Sequence, residues 1–148
     1  MHKTAAGLRV LVVDDDPMMM ELLTTRLDLA GYESHSARNG REALARLRDL
    51  RPAGMVLDIN MPEMDGFAVL ARLRELRQTP ALPVMVLTAR NDTADVQRAI
   101  SLGARDYLAK PFNDQRFLLR IARLVRPTPS PRVGEAAPAS GQDDSLFI

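Results

Sequence analysis

The chain has 148 residues, a formal net charge of +1 and no cysteine. That length suits one domain with a sizeable hydrophobic core. The small net charge gives no general reason to bind nucleic acid or a membrane surface, and the lack of cysteine excludes disulfides and thiolate metal sites. No apolar segment is long enough to cross a bilayer, and none resembles a signal peptide, so we expect a cytoplasmic protein.

Short apolar segments alternate with helical patterns along the chain. The segments typical of strands lie near residues 8–13, 32–36, 54–58, 83–87 and 106–109. Helix signals stand between them: Pro17 and Gly31 bound the first helix, and Asn39 and Asn113 are candidate N-caps of the second and fifth. A strand followed by a helix, five times over, predicts an α/β fold with a doubly wound parallel sheet covered on both faces.

The composition changes after residue 126. Residues 127–148 are rich in Pro, Ala, Ser and Gly, and such a segment buries too little apolar surface to offset the entropy of ordering. We therefore expect a domain over residues 1–126 followed by a disordered tail or linker. The acidic and apolar residues 143–148 are the exception, since they could dock on a groove of the domain or on a second chain.

Acidic residues follow two of the strand-like segments. Asp14, Asp15 and Asp16 come after the first, and Asp58 ends the third. Ligands of an open parallel sheet bind beyond the carboxyl ends of the strands, where the strand order reverses, so Asp14, Asp15 and Asp58 are expected to meet there. Clustered carboxylates repel one another, and Mg²⁺ is the natural cation to hold them. Asp58 could then act as a carboxylate nucleophile.

Two further residues at strand ends suit phosphate chemistry. Thr88 follows the fourth strand-like segment and Lys110 the fifth, and a hydroxyl and an ammonium can stabilise the oxygens of a phosphoryl group in transfer. Among 20 basic residues, only Lys3 and Lys110 are lysines. Because arginine is otherwise the usual cation of this chain, Lys110 indicates a need for a compact ammonium group.

Each of these features alone has a simpler explanation. Asp14 or Asp15 could cap the helix that begins at Pro17, Thr88 could be a strand-end hydroxyl, and Lys110 could be a solvated lysine. An enzyme with an aspartyl nucleophile, such as a phosphohydrolase, is the alternative in another class. Such an enzyme usually needs a second acid two residues after its nucleophile, and Asn60 at that position disfavours turnover.

Arginines are frequent in the last third of the chain and are expected on solvated helix faces. They are Arg98, Arg105, Arg116, Arg120 and Arg123. Together they could form a surface for an acidic partner protein.

Five segments, taken together, resemble the response-regulator receiver domain of two-component signalling (CheY-like). They are residues 11–15, 37–44, 57–66, 87–89 and 103–112, in the order and spacing of that family. The resemblance extends from residue 8 to the fifth helical pattern. It implies a flavodoxin-like strand order 2-1-3-4-5 with five helices.

The resemblance also implies a phosphorylation site. Asp58 resembles the phosphoacceptor. Asp15, Asp58 and the backbone carbonyl of Asn60 resemble the ligands of Mg²⁺, with Asp14 assisting through water. The protein would catalyse only its own phosphorylation and dephosphorylation.

The resemblance further implies a conformational switch. Thr88 resembles the hydroxyl that follows the phosphoryl group, and Tyr107 the aromatic residue that turns inward once Thr88 has moved. Lys110 resembles the ion-pair lysine of the family, and Lys110-Pro111 its cis peptide, an accessible state for a bond before proline.

The partners follow from the same resemblance. The phosphoryl donor would be a sensor histidine kinase or a histidine phosphotransfer protein. A downstream protein would bind the surface of the fourth helix, fifth strand and fifth helix, and a phosphorylation-dependent homodimer is a further partner of this kind. Direct contact with nucleic acid or a membrane is not expected. The alternative within this class is the N-terminal receiver fragment of a larger regulator or hybrid kinase.

Overall fold

The computed structural model describes residues 7–61, 63–76, 82–89 and 93–125. The strands are β1 (Arg9–Val13), β2 (Glu33–Ala37), β3 (Gly54–Asp58), β4 (Val84–Thr88) and β5 (Asp106–Ala109). The helices are α1 (Pro17–Leu29), α2 (Gly40–Leu50), α3 (Gly66–Leu76), α4 (Thr93–Ser101) and α5 (Asp114–Val125). The predicted alternation of strands and helices is confirmed. The predicted tail and the domain boundary at residue 126 lie outside the described residues.

The five strands form one parallel sheet in the order β2-β1-β3-β4-β5. This is the flavodoxin-like order that was predicted. Strands β3 and β4 are buried along their whole length, as expected for central strands covered by helices on both faces. Strand β2 lies at the edge, and only Ala37 of it is buried. The strand order reverses between β1 and β3, so a ligand is expected beyond the ends of these two strands.

Two hydrophobic cores lie on opposite faces of the sheet. Successive side chains of a strand point to opposite faces, and β1 shows this clearly. Leu11 and Val13 pack on the side of α2, α3 and α4, whereas Val10 and Val12 pack on the side of α1 and α5. None of the helices in the described part of the chain has the length and apolar character that a membrane crossing requires.

Polar caps fix where the first two helices begin. The carboxylate of Asp16 accepts a hydrogen bond from the Met18 N–H, and Pro17 occupies the first turn. The side chain of Asn39 accepts from the Glu42 N–H, while Glu42 accepts from the Arg38 N–H. The two bonds tie the first turn of α2 to the cap Asn39 and to the residue before it. Asp16, and not Asp14 or Asp15, is therefore the cap of α1, which leaves the other two acids for a different role.

Gly66 brings the start of α3 against the backbone at the end of β3. A Cβ atom at this position would lie 2.7 Å from the Ile59 Cα and 2.8 Å from the Asp58 carbonyl oxygen. The Gly66 N–H also donates to the Ile59 carbonyl at 2.9 Å. A side chain cannot be accommodated without moving backbone, so glycine here lets α3 begin directly against the end of β3, where Asp58 lies.

Candidate functional site

Three carboxylates meet at the carboxyl edge of the sheet. Asp14 and Asp15 follow β1, and Asp58 is the last residue of β3. Each offers an oxygen that lies within 4.8 Å of the other two. Asp14 is 1 % exposed and Asp58 4 % exposed, whereas Asp15 lies at the surface. The structure thus brings together the three acids that the sequence placed at the reversal point.

One of the two buried carboxylates has an oxygen without a hydrogen-bond partner among the described residues. Asp14 Oδ1 accepts from the Asp16 N–H at 2.9 Å, and Asp58 Oδ1 accepts from the Asn60 N–H at 3.2 Å. Asp14 Oδ2 is buried and accepts no hydrogen bond from the described residues. Because buried polar atoms are nearly always satisfied, this oxygen points to a cationic group that completes the site.

Lys110 supplies part of the opposite charge. Its Nζ lies 3.6 Å from Asp58 Oδ1 and 3.8 Å from Asp14 Oδ2. At these separations the ammonium forms loose ion pairs and does not saturate either carboxylate. One ammonium is therefore shared between two buried acids.

The electrostatics of the site reflect this shortage of positive charge. Burial, followed by the charge of Asp14, raises the pKa of Asp58 from 3.8 to about 6, although Lys110 acts in the opposite direction. Burial also raises the pKa of Asp14, against the Asp16 N–H and Lys110. Both effects disfavour the ionised acids. A bound divalent cation would relieve them.

These residues fit Mg²⁺. The cation prefers carboxylate, carbonyl and water oxygens, and Asp14, Asp15 and Asp58 offer three carboxylates around one point, one of them with an unpartnered buried oxygen. Asn60 follows Asp58 by two residues, and its N–H is bound to that carboxylate. The ligand role of its carbonyl stays a prediction.

Thr88 and Lys110 are joined through the backbone. Thr88 ends β4 and is buried, and its register partner on β5 is Ala109. The Lys110 N–H donates to the Thr88 carbonyl at 2.7 Å. The Lys110-Pro111 peptide is cis, as predicted. Both residues thus stand at the same edge of the sheet as the acids.

Tyr107 lies on β5, and its register partner on β4 is Val86. It is partly buried against the core that α2, α3 and α4 cover. Tyr107 is therefore one strand away from Thr88, which is the arrangement that the predicted switch needs.

Sequence reasoning missed one buried ion pair beside Tyr107. The expectation that Arg120 is solvated is wrong: it is 6 % exposed, and its Nη1 donates to Asp106 Oδ1 at 2.7 Å. The same oxygen accepts from the Tyr107 N–H at 2.7 Å. Burial raises the pKa of Asp106, and Arg120 opposes that rise most strongly. A usable signal was the position of Arg120 beside Phe117 and Ile121 on the buried stripe of α5.

Arg98 is exposed on α4, as expected, but it also contacts an aromatic ring. Its guanidinium carbon lies 4.1 Å from the centroid of the Phe67 ring. This geometry is a cation–π contact between α4 and α3.

A doubly wound sheet with an acidic cluster at its reversal point is typical of α/β domains that bind ligands beyond the ends of the strands. Comparison with known proteins narrows that class. The family model described as "Response regulator receiver domain" matches residues 10–122. The chain therefore belongs to the response regulator receiver domain family, whose general function is phosphoryl-accepting signalling.

Curated relatives agree with this assignment. The chain is 42 % identical over 141 residues to the response regulator MprA of Mycolicibacterium vanbaalenii, which covers 94 % of this chain and 60 % of the relative. It is 38 % identical over 129 residues to the DNA-binding dual master transcriptional regulator RpaA of Synechocystis, which covers 87 % of this chain and 53 % of the relative. The chain thus spans half to three-fifths of the length of these relatives.

Solved structures show the same fold. The Vibrio cholerae chemotaxis protein CheY4 has a TM-score of 0.76 at 34 % identity, with 80 % of this chain and 99 % of that chain covered. The receiver domain of the sensor histidine kinase PA1611 from Pseudomonas aeruginosa has a TM-score of 0.74 at 26 % identity, with 81 % and 98 % covered. That structure holds a magnesium ion in its active-site cleft.

Proposed function

We propose that this chain is a phosphoaspartate switch. Asp58 accepts a phosphoryl group from a sensor histidine kinase or a histidine phosphotransfer protein, and the phosphorylated form presents an altered surface made by α4, β5 and α5. The observation that supports the proposal is the position of the buried Asp58 carboxylate at the reversal point of the sheet, within 4.8 Å of two other acids and 3.6 Å from Lys110.

The chemistry assigned to Asp58 is nucleophilic attack. A carboxylate oxygen attacks the phosphorus of a phosphohistidine, the P–N bond breaks, and the electron pair leaves with the imidazole, so that an acyl phosphate forms on Asp58. Since the pKa of Asp58 is about 6, most of the carboxyl is ionised at neutral pH and able to attack.

The remaining site residues would stabilise the charge on the transferring oxygens. The Lys110 ammonium lies 3.6 Å from Asp58 Oδ1, and Thr88 ends the neighbouring strand β4. Asp15, Asp58 and the Asn60 carbonyl would hold Mg²⁺, with Asp14 acting through water. When bound, the cation neutralises the negative charge that accumulates on the phosphoryl oxygens.

The switch is proposed to run from Thr88 to Tyr107. A phosphoryl group adds charge and three acceptor oxygens, which would attract the Thr88 hydroxyl. The space that Thr88 leaves would then be open to Tyr107 on the neighbouring strand, and the surface of α4, β5 and α5 would change.

A role within a larger regulator is the second candidate. It is favoured by the length of the curated relatives, of which this chain spans half to three-fifths. RpaA is described as a DNA-binding transcriptional regulator. The receiver would then control an output domain, and the expected lack of direct contact between residues 1–126 and nucleic acid stays a prediction.

The proposal is tested by phosphorylation with a small donor. Incubation with acetyl phosphate and Mg²⁺ should add one phosphoryl group by intact mass, and hydroxylamine should remove it, since it cleaves acyl phosphates. Asp58→Asn should abolish the addition. Asp49→Asn, which changes an exposed acid on α2, is the matched control. Labelling of Asp58→Asn at the rate of the control would contradict the proposal.

A further inference from the structure

A groove of about 590 Å³ lies between α4, β5 and α5. Thr93 and Val96 line it from α4, Tyr107 from β5, and Arg116 and Arg120 from α5. We call it the α4–α5 groove. It is lined by both apolar and cationic side chains, so its occupant should carry apolar and acidic groups together.

The α5 wall of the groove is cationic. Arg116 and Arg120 line the groove, and Arg123 follows Arg120 by three residues on the same face of the helix. Arg120 is committed to Asp106. Arg116 is exposed and forms no ion pair with any residue that the structure describes. The wall therefore offers positive charge beyond what its own acids neutralise.

The charge count over residues 93–125 leads to the same conclusion. The basic residues are Arg98, Arg105, Lys110, Arg116, Arg120 and Arg123, and the acidic ones are Asp95, Asp106 and Asp114. Asp106 is paired with Arg120, and Asp114 with Arg26 of α1. Of the cations, Lys110 faces the acidic site, Arg98 stacks on Phe67 and Arg120 is paired. Three arginines without an ion pair among the described residues therefore stand against one such acid, Asp95.

The groove also has apolar walls. Val96 lines it from α4, and Ile100, which is 46 % exposed, lies one turn further along the same face of that helix. Phe112, which also lines the groove, stacks on Phe117 with ring centroids 5.7 Å apart. Large apolar side chains of an occupant would be shielded from water along these walls.

A second copy of this surface is a poor occupant. Pairing two identical faces would bring two arginine stripes together, and like charges in close contact are unfavourable. Of the three acids on the face, Asp95 alone is not in an ion pair among the described residues. The partner should therefore bring its own acids.

One segment of this chain has the required composition. Asp143 and Asp144 are followed, after one serine, by Leu146, Phe147 and Ile148. We propose that residues 143–148 dock in the α4–α5 groove of the same molecule. The two acids face the α5 arginines, and the apolar triplet packs against the apolar walls.

The intervening chain is long enough for this contact. Residues 126–142, 17 in number, separate the end of α5 from Asp143. A random coil of that length has a root-mean-square span of roughly 23 Å. Helix α5, with 12 residues, is about 18 Å long. A short tether also gives the segment a local concentration on the order of millimolar, so that weak contacts suffice.

This docking does not need phosphorylation, so the experiment that tests it is independent of the one that tests the proposed function. It would cover Tyr107 and the surface assigned above to a downstream protein. The tail would then compete with that protein for one face of the domain.

Paramagnetic broadening tests the proposal on the full chain. The protein has no cysteine, so Ser145→Cys provides a single attachment point for a nitroxide. In ¹⁵N-labelled, unphosphorylated protein at low salt, we expect loss of amide signals for Val96, Ile100, Tyr107 and Arg116, with signals of α2 unchanged. High salt should restore the lost signals, because it screens the acid–arginine attraction.

Charge reversal provides the control. Arg116→Glu should remove the broadening, and Arg41→Glu, which changes an exposed arginine on α2, should leave it unchanged. Unchanged amide positions elsewhere in the spectrum would show that both variants are folded. Broadening that is absent, spread over all surfaces, or retained in Arg116→Glu would overturn the proposal. A mixed sample separates the two possible sources of the tail. It contains nitroxide-bearing protein without ¹⁵N and ¹⁵N-labelled protein without a nitroxide. Broadening of the same amide signals in that sample would also overturn the proposal, because the occupant would then be the tail of another molecule.

Discussion

Replacing Asp58 with asparagine should stabilise the metal-free fold at neutral pH and have little effect in acid. Asp58 is buried, and its pKa is about 6 in the folded protein against 3.8 as the reference value. A carboxyl with a raised folded pKa binds its proton more tightly in the folded state than in the unfolded state. Stability therefore falls as pH rises from 4 to about 6 and stays lower above that range.

The magnitude follows from the size of the shift. A rise from 3.8 to about 6 corresponds to about 3 kcal/mol, since one pKa unit is about 1.4 kcal/mol. Asparagine has no charge to bury and keeps an oxygen that can accept from the Asn60 N–H. The gain in unfolding free energy should approach about 3 kcal/mol at about pH 7.5 and fall below about 1 kcal/mol near pH 4.

Urea denaturation with a metal chelator measures this difference directly. Wild type and Asp58→Asn are compared at both pH values. Asp49→Asn serves as the surface control, with an expected change within about 0.5 kcal/mol. A gain of equal size at both pH values would show that it does not come from the ionised carboxylate. A lower unfolding free energy for Asp58→Asn at neutral pH would refute the conclusion that the ionised Asp58 carboxylate destabilises the metal-free fold.

Three further predictions address the site and its support. Asp15→Ala should weaken Mg²⁺ binding in a titration more than Asp14→Ala, because a direct ligand sets affinity and a water-mediated one only tunes it; the opposite ranking would reverse the two roles. Thr88→Ala should still accept a phosphoryl group but lose the response of the β5 surface, so that amide shifts over residues 88–112 with Mg²⁺ and beryllium fluoride stay near those of the free protein. A wild-type response in that variant would exclude the proposed coupling. Gly66→Ala should destabilise the fold by about 1–3 kcal/mol, since its Cβ would overlap backbone atoms of Asp58 and Ile59. An unchanged melting temperature would show that the loop after β3 can move away.

Much of the fold is predictable from this sequence because local signals and tertiary demands agree. The apolar segments end in acids at β1 and β3, and Asn39 stands where α2 begins. The meeting of Asp14 and Asp58 follows from the parallel topology alone, since neighbouring parallel strands end at one edge.

The features that were missed depend on contacts between distant segments. Arg120 lies on α5, and its partner Asp106 is 14 residues earlier on β5. Helical periodicity places Arg120 at the border of the buried stripe, and only the sheet brings an acid close enough to bury it. The requirement for glycine at position 66 arises in the same way, because it depends on how closely α3 approaches the Ile59 backbone.

Strand β5, which carries Tyr107, is held at both ends. At its start, Asp106 binds both the Tyr107 N–H and Arg120 of α5. At its end, the Lys110 N–H is bound to the Thr88 carbonyl of β4. A strand held in this way has little freedom to slide, whereas the phenol ring can exchange between rotamers. The proposed switch at Tyr107 would then be a rotation of the ring on a fixed backbone. Because the ring is partly buried, this rotation requires space in the neighbouring core, unlike the picosecond-to-nanosecond rotamer exchange of exposed side chains.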